Sequence, residues 1–304
     1  GTLVYAPVEG VDFRQYVIRS LDGRKIRSLK AGNGLGTDIH DLQQLANGNF
    51  MIGAHRNVGG IDATRFGGTS NSTIDTATVQ EVTPRGRVVW SWNAYPRIKL
   101  GETGRWWKTI GAWGQPYDVH HWNSVDRDGR RILLSFRHLD AVFCIDRQTG
   151  RILWKLGGTR TPKSLKVVGD PRAGYPLGGQ HDARFVPGGI TVFDNSTNLT
   201  RRQPRAVRYR IDSVRRRATL VSQVTDPAVG VSVGIGSARL DRNGNWTIGW
   251  GAIGQNGLIG IYPAKGSASR LRTPGGASYR ANPVTSRQPT IERLRRAMNR
   301  IASR

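Results

Sequence analysis

The chain has 304 residues, of which 37% are hydrophobic, with 9 Trp and 39 Gly, a composition typical of a folded, turn-rich protein and not of a disordered one. No apolar run approaches the roughly 18–20 residues that a membrane-spanning helix needs, and a lone Cys144 excludes an intrachain disulfide or a cysteine metal cluster. The net charge of +25 favours anionic partners. Because no recognition-helix, zinc-spacing or base-stacking motif accompanies this charge, we expect no specific nucleic-acid binding.

A strand–turn–strand pattern recurs along the chain. The clearest copy runs from Ile145 to Trp154 around Gly150, and a second runs from Val82 to Trp90 around Gly86. Weaker copies place turns at 23, 216 and 266. The resulting period of roughly 50–66 residues is close to or above that of known propeller repeats.

A second pattern precedes each of the later hairpins. It begins at His40, His121 and His181, and near Gly236, and each copy reaches a glycine-containing turn before the next strand. Four strands per unit at a regular period predict an all-β fold, a β-propeller, with five units countable from the sequence. Residues 3–31 are predicted to be an incomplete unit that strands around 277–280 complete.

The C-terminal segment has a different pattern. Thr290 is a predicted N-cap, and four apolar residues then fall on one face of a short basic helix: Ile291, Leu294, Met298 and Ile301. We therefore divide the chain into a propeller domain, 1–285, and a basic C-terminal helix and tail, 286–304. The helix is expected to pack on the propeller rim with its arginines in solvent; the alternative is a helix for a membrane surface or a protein partner.

Three histidines occupy equivalent places in the repeat. His40, His121 and His181 each come just before the apolar inner strand, and the inner strands of a propeller line its central channel. We therefore expect the three imidazoles to converge. Asn123 is predicted to share a strand face with His121. Further polar residues fall near the same ring: Arg137, His138, Gln180 and Arg205.

The residue types in this ring favour the transfer of an anionic group. The chain has no phosphate-binding loop, no nucleophile elbow and no H-E-x-x-H helix. Three histidines could hold a metal, but we predict neither a metal site nor a cofactor. A histidine nucleophile surrounded by Arg, Asn and further His suits sulfuryl or phosphoryl transfer, because the cations and the amide stabilise oxygens that gain charge in the transition state.

Several motifs together resemble the arylsulfotransferase family. They are H-x-N-S at 121–124, S-x-R-H at 135–138 and Q-H-D-A-R-F at 180–185, and the likeness covers most of residues 36–282. The resemblance implies a six-bladed propeller and a ping-pong reaction through a sulfated histidine, without a nucleotide donor. It also implies export, so we expect a secreted, periplasmic or cell-envelope protein, although no export signal is visible in this sequence.

The resemblance also implies roles for individual residues. His181 matches the histidine that becomes sulfated, and His121, Asn123, Arg137 and His40 match the residues that surround the sulfuryl group. A threonine of the family pattern has no clear match, although Ser237 lies near its place. The predicted substrate-binding residues are His138, Gln180, Arg205, Trp122 and Ser237. The implied partners are an aryl sulfate donor and a phenolic acceptor.

Two other functions remain open from the sequence. A propeller polysaccharide lyase or hydrolase would use Arg and His to neutralise a uronate, and aromatic side chains such as Trp122 could stack on sugar rings. A non-catalytic propeller could bind an anionic glycan or the cell-envelope surface through its basic charge. The fold alone does not distinguish these functions from sulfuryl transfer.

Overall fold

The computed structural model describes residues 2–5, 14–254, 256–273, 277–283 and 291–302. Within these residues the chain is mostly β, with 21 strands and two α-helices. It divides into two compact units. The first comprises Gly1–Arg56, Thr78–Trp92 and Pro283–Arg304, and the second comprises Asn57–Ala77 and Asn93–Asn282. No helix in the described ranges is long and apolar enough to cross a membrane.

The first unit is built on two sheets. One has three strands in the order β1-β2-β3, which agrees with an incomplete unit at the start of the chain, and the other is a meander in the order β4-β5-β6-β7. The ends of β5 and β6 belong to the second unit by the division above. The elements are β1 (Thr2–Tyr5), β2 (Tyr16–Ser20), β3 (Lys25–Leu29), β4 (Gly36–Gln44), β5 (Phe50–Ile61), β6 (Ser72–Val82), β7 (Val88–Asn93) and the helix α2 (Ile291–Ala302).

The second unit contains three successive sheets, each an antiparallel meander in which neighbouring strands follow one another in sequence. A short strand, β13, pairs in parallel with the outer strand of the middle sheet. The elements are α1 (Trp107–Trp113), β8 (Tyr117–Asp118), β9 (Trp122–Asp128), β10 (Arg131–Phe136), β11 (Ala141–Asp146), β12 (Ile152–Gly157), β13 (Lys166–Val168), β14 (His181–Val186), β15 (Gly189–Asp194), β16 (Arg205–Asp212), β17 (Arg217–Val224), β18 (Ser237–Leu240), β19 (Trp246–Gly249), β20 (Gly257–Tyr262) and β21 (Ser269–Thr273).

The five predicted turns all lie in the structure between the last two strands of a sheet. Gly86 joins β6 to β7 with a φ of 82°, and Gly150 joins β11 to β12 with a φ of 67°. Glycine adopts this left-handed backbone without a steric cost. Arg216 occupies the equivalent place between β16 and β17 with a φ of 53°. The sequence repeat therefore corresponds to one sheet, and five sheets lie in the described residues.

One predicted pairing is wrong. Residues 277–280 do not form a strand against the first sheet; instead Ser278 makes an isolated antiparallel bridge with Gly251. The backbone N–H of Ala281 donates to the Ser237 hydroxyl at 2.8 Å, which ties this segment to the start of β18. The proposed boundary at 285 and 286 and the N-cap at Thr290 fall in residues 284–290, outside the described residues.

In the second unit, side chains of one sheet accept hydrogen bonds from backbone N–H groups on the edge strand of the next sheet. The Ser124 hydroxyl accepts the Ala183 N–H at 3.0 Å, and the Asp182 carboxylate accepts the Ala238 N–H at 3.0 Å. An unpaired strand edge that is buried would otherwise leave these donors unsatisfied. The first strands β9, β14 and β18 therefore lie side by side, as successive blades of a propeller would place them.

Apolar side chains fill the space between the same sheets. Leu133, Val142 and Leu156 of one sheet pack with Val192 and Val207 of the next, and all are fully buried. Complete burial of a side chain of this size contributes about 1.5–3 kcal/mol. The outer strand β21 is exposed and carries arginines. The packed side chains therefore lie between neighbouring sheets and not on this strand.

Candidate active site

Each predicted histidine lies where the first strand of its sheet is irregular. His121 directly precedes β9, and His181 opens β14, whose pairing slips between His181 and Arg184. His40 lies inside β4, where pairing slips between Asp38 and Leu42. Such irregularities redirect a side chain out of the regular alternation of a strand. His121 therefore precedes its strand as the repeat predicts, whereas His181 is the first residue of its strand and His40 lies within its strand.

Asp118 holds His121. The Nδ1 atom of His121 lies 2.5 Å from Asp118 Oδ2, and the backbone N–H of His121 donates to Asp118 Oδ1 at 3.1 Å. A carboxylate only accepts hydrogen bonds, so Nδ1 carries a proton and Nε2 is the atom on the far side of the ring. His121 has a φ of 47°, which is unusual for a residue other than glycine. The two contacts with Asp118 hold this backbone.

Arg137 and His138 form a stacked group beside His121. The His138 ring lies 4.5 Å from the His121 ring and 4.6 Å from Trp106, between centroids. Arg137 Nη1 donates to His138 Nε2 at 2.9 Å, and the Arg137 guanidinium lies 4.5 Å from the centroid of the Trp106 ring. Stacking and hydrogen bonding together fix the plane of the guanidinium.

His138 supports this group from the interior. It is fully buried, its Nδ1 donates to the Asp118 carbonyl at 2.6 Å and its Nε2 accepts from Arg137. Burial, aided by the neighbouring His121 imidazole, lowers the pKa of His138 to about 3. His138 thus holds the Arg137 side chain, and its predicted substrate-binding role stays a prediction.

Asp118, His121 and His138 bring three metal-ligating atoms within 4.8 Å of one another. His138 does not suit a metal, because Nδ1 carries the proton given to the Asp118 carbonyl and Nε2 accepts from Arg137. The Arg137 cation would also oppose a second positive charge nearby. This donor set therefore fits hydrogen bonding to an anion better than metal coordination.

His181 is oriented by Asn195. Its Nδ1 lies 2.7 Å from Asn195 Oδ1, while Asn195 Nδ2 donates to the Ser232 hydroxyl and to the Ile235 carbonyl, both at 2.8 Å. These two acceptors identify the amide nitrogen, so His181 donates from Nδ1 to the amide oxygen. The lone pair of His181 is therefore at Nε2, where the backbone N–H of Ile235 lies 3.2 Å away.

A single loop, residues 233–235, contacts both parts of the site. The Val233 carbonyl accepts from Arg137 Nη2 at 3.0 Å, and two residues later the Ile235 N–H reaches His181. Ile235 has a φ of 51°, a strained backbone for a β-branched residue. The structure thus brings His121, Arg137, His138 and His181 into one region of the second unit.

The structure places His40 in the first unit. Its Nδ1 lies 2.5 Å from Asp38 Oδ1, and an Asp therefore holds His40 as Asp118 holds His121. The Asp38 carboxylate is buried, and despite the opposing effect of this burial its hydrogen bond and attraction to His40 lower its pKa. The convergence of His40 with the other imidazoles stays a prediction.

Arg205 does not belong to the site. It is fully buried, and its five N–H groups all donate within the protein: to Asp170, Asp194, Gln223 and the Pro176 carbonyl. Because no donor remains for a ligand, Arg205 is a structural ion-pair residue, and the predicted substrate-binding role is wrong.

Trp122 and Ser237 are also buried. Trp122 is only 1% exposed, and the structure gives its predicted contact with a substrate no support. Ser237 is fully buried and its hydroxyl accepts the Ala281 N–H, as described above.

Asn123 and Gln180 form a buried amide pair beneath the histidines. Asn123 Nδ2 donates to the Gln180 carbonyl at 2.8 Å, and the Gln180 amide nitrogen donates to Ser135, Phe136 and Ala141. The predicted strand face shared by His121 and Asn123 is wrong, because β9 begins only at Trp122. The pair joins β9 to the start of β14 and so positions His181.

Four contributors were given no role in the predicted sulfuryl-transfer site: Asp118, Asn195, Trp106 and the loop 233–235. An aspartate two or three residues before a histidine occurs at both Asp38-x-His40 and Asp118-x-x-His121 and could have identified the first. The other three contact the histidines across at least 14 residues of sequence, and no local pattern marks them.

A further buried imidazole, His120, predicts acid sensitivity. Its Nδ1 contacts the Thr76 hydroxyl at 2.6 Å, and burial lowers its pKa to about 4 from 6.5. Between these two values the unfolded chain binds a proton that the folded chain does not, so stability is complete above pH 6.5 and falls as the pH drops towards 4, by up to about 3 kcal/mol. Between pH 7 and 4.5, we expect the free energy of unfolding, measured with urea, to fall by about 2 kcal/mol less in His120→Gln than in the parent. Equal losses would contradict this assignment.

These features define an all-β protein of antiparallel meander sheets that carries an imidazole–guanidinium site at the start of its inner strands. The chain belongs to the arylsulfotransferase family, because the family model described as Arylsulfotransferase (ASST) matches residues 23–266. This match confirms the resemblance derived from the motifs. No curated protein matches the chain.

Solved structures with detectable similarity share little sequence with the chain. The β-propeller domain of Cps50 (Swd1) from Myceliophteria thermophila is 10% identical, with a TM-score of 0.47 over 91% of this chain and 83% of that one. A candidate 6-phosphogluconolactonase from Bacteroides fragilis is 13% identical, with a TM-score of 0.45 over 90% and 68%. Kluyveromyces lactis Hsv2 is 8% identical, with a TM-score of 0.42 over 90% and 83%. At these scores we draw no argument from the similarities.

Proposed function

We propose that the chain moves a sulfuryl group from an aryl sulfate ester to a phenolic acceptor through a covalent intermediate on His181. The observation that carries this proposal is the orientation of His181: Asn195 Oδ1 accepts a hydrogen bond from Nδ1, so the lone pair is on Nε2, where the Ile235 N–H donates to it until a substrate binds. The loop that contacts Nε2 also contacts Arg137. The same loop therefore positions both the nucleophile and a cation that can bind the transferred oxygens.

The two half-reactions follow from these groups. In the first, His181 Nε2 bonds to the sulfur while the S–O bond to the aryl oxygen breaks; the electron pair stays on that oxygen, and His121 supplies its proton. In the second, the acceptor phenol returns a proton to His121, its oxygen bonds to sulfur, and the N–S bond breaks. Asp118 keeps the His121 ring in place during the cycle by accepting a hydrogen bond from Nδ1.

Arg137 supplies charge for the sulfuryl oxygens. Its hydrogen bonds within the described residues go to His138 and Val233, which leaves three of its five N–H groups for an anion. Burial lowers the pKa of Arg137, with Asp118 and Asp140 opposing this effect, but a guanidinium remains charged. A partly desolvated cation interacts more strongly with developing negative charge than one in water.

The surface next to this group suits an aromatic substrate. Trp113 ends helix α1 with 61% of its surface exposed, and its ring centroid lies 5.6 Å from that of His138. Val233, whose carbonyl binds Arg137, is also exposed. An exposed indole and an aliphatic side chain beside a cation offer contacts to the ring and to the sulfate of an aryl ester.

The proposal includes the six-bladed propeller and the export that the family implies; the described residues contain five sheets. The family match implies small-molecule aryl sulfates and phenols as substrates, and it gives no support to the predicted glycan and cell-envelope partners.

Incubation with 4-nitrophenyl sulfate and phenol tests the proposal. We expect nitrophenolate release that depends on the phenol, with no nucleotide donor, and formation of phenyl sulfate. With the donor alone, we expect a single burst and an acid-labile sulfuryl adduct on the peptide that contains His181, seen by mass spectrometry. Release without phenyl sulfate, or an adduct on another residue, would contradict the mechanism.

A further inference from the structure

The carboxylate of Asp140 accepts five hydrogen bonds close to the site. Oδ1 accepts from Trp106 Nε1 and Arg105 Nη2, both at 3.0 Å, and from the Gly179 N–H at 2.5 Å. Oδ2 accepts from Arg105 Nε and from the Tyr175 hydroxyl, both at 2.6 Å. Asp140 is fully buried and has a left-handed backbone, with a φ of 48°, directly after the turn Arg137–Leu139.

One set of these contacts leads to Arg137 and His138. The Asp140 N–H donates to the Arg137 carbonyl at 3.1 Å, which closes the turn that carries both residues. The bond to Trp106 Nε1 fixes the indole on which the Arg137 guanidinium and the His138 ring stack. A shift of Asp140 would therefore move the cation and its aromatic support together.

The other contact leads to His181. Gly179 lies two residues before His181, and its N–H is held by Asp140. A Cβ on Gly179 would lie 2.6 Å from the Thr197 hydroxyl and 3.4 Å from the Trp106 ring, so the backbone here is confined on both sides. The chain entering β14 thus takes its position from the same carboxylate that holds Trp106.

We propose that Asp140 is a positioning residue that sets the placement of Arg137 and His138 relative to His181. This inference rests on the proposed function, because it concerns residues that act in the transfer. Burial and the adjacent Asp140 carboxylate raise the pKa of Tyr175, consistent with a hydroxyl that always donates. Asp140 itself touches neither the nucleophilic nitrogen nor the free N–H groups of Arg137.

The chain offers a matched control in Asp226. It is also a buried carboxylate, and it accepts from Arg270 Nε at 2.6 Å, from the Tyr262 hydroxyl at 2.5 Å and from the Ala228 N–H at 2.9 Å. These three partners, an arginine, a tyrosine and a backbone N–H, are of kinds that also bind Asp140, and none is a site residue. Asp140→Asn and Asp226→Asn therefore each remove one buried negative charge. Only the first should alter the placement of Arg137 and His138 relative to His181.

We expect Asp140→Asn to lower kcat with 4-nitrophenyl sulfate by about 30- to 100-fold, since an error of about 1 Å in placement can cost two orders of magnitude. KM should change by less than about threefold, and Asp226→Asn should keep kcat within about threefold of the parent. Equal losses of kcat in the two variants, with equal unfolding midpoints, would overturn the proposal.

A second readout does not depend on turnover. In histidine-labelled protein, we expect the imidazole NMR signals of His138 and His181 to shift in Asp140→Asn and to stay in place in Asp226→Asn. Unchanged signals in Asp140→Asn would overturn the positioning role even if the chain proved to have no sulfuryl-transfer activity. Conversely, shifted signals without any activity in the parent would contradict the proposed function and leave the positioning role supported.

A milder pair of variants covers the case in which Asp140→Asn does not fold. Tyr175→Phe removes one of the five donors, and Tyr262→Phe removes the equivalent donor from Asp226. We expect Tyr175→Phe to lower kcat by about three- to tenfold and to shift the same two imidazole signals. The proposal would be wrong if both phenylalanine variants behaved alike.

Discussion

We expect His181→Ala to lower turnover of an aryl sulfate by about 10⁴-fold or more while the chain remains folded. The other imidazoles described in the second unit are held differently: His120 contacts the Thr76 hydroxyl, His121 faces a carboxylate, and the Nε2 of His138 accepts from the Arg137 side chain. His181 alone among these combines a donated Nδ1 proton with a backbone N–H beside Nε2. Its loss should remove the covalent path entirely.

Steady-state release of nitrophenolate and mass spectrometry after exposure to donor check this result. The adduct should be absent in His181→Ala. Urea unfolding should show a free energy of unfolding lower by about 1–3 kcal/mol, the loss expected from a cavity of this size. Asn195→Ala is a useful companion, because it keeps the nucleophile and removes the group that selects its tautomer. We expect an intermediate loss there, since a misplaced proton blocks Nε2 in part of the molecules. Full activity in His181→Ala would rule out its role as nucleophile.

Replacing Arg137 with lysine should lower kcat/KM by on the order of 100-fold, although the positive charge is retained. An ammonium cannot donate to His138 Nε2 and to the Val233 carbonyl in one plane, and it does not stack on Trp106 as a guanidinium does. The remaining N–H groups would no longer point at a sulfuryl oxygen. His138 would also lose the donor to its Nε2 while fully buried.

Arg130→Lys is a suitable control for this experiment. Arg130 pairs with Asp146 on the surface of a hairpin, and its side chain is 64% exposed. Exposed pairs contribute little, so we expect kcat/KM and stability within about twofold and 1 kcal/mol of the parent, respectively. If Arg137→Lys were as active as Arg130→Lys, the guanidinium geometry would have no part in the transfer.

The arrangement of strands was largely predictable, because the features that encode it are local. A glycine at 86 or 150 permits a turn of positive φ, and the apolar residues on either side pair across that turn within a few residues. The first strands and their histidines could be predicted for the same reason. The closing strand assigned to 277–280 failed, because its pairing depends on a distant partner that no local pattern specifies.

The site was only partly predictable. The motifs around His121, Arg137 and His181 identified residues that the structure brings together, but all N–H groups of Arg205 proved to be used by Asp170, Asp194, Gln223 and a backbone carbonyl. Sequence spacing does not reveal whether a donor is free or already used. Asn195 and Asp140 were missed because each acts on residues distant in sequence, through bonds that exist only after the sheets have packed.

The amino-acid sequence by itself determined the repeat, the turns, the residue types of a group-transfer site and the excess of positive charge. Only the tertiary structure decided which nitrogen of His121, His138 and His181 carries a proton, which arginine keeps donors for a ligand and which carboxylate connects the two parts of the site. The physical reason is that turn formation depends on the steric freedom of a few adjacent residues, whereas a tautomer or a free donor depends on which partners the folded chain brings within hydrogen-bond distance.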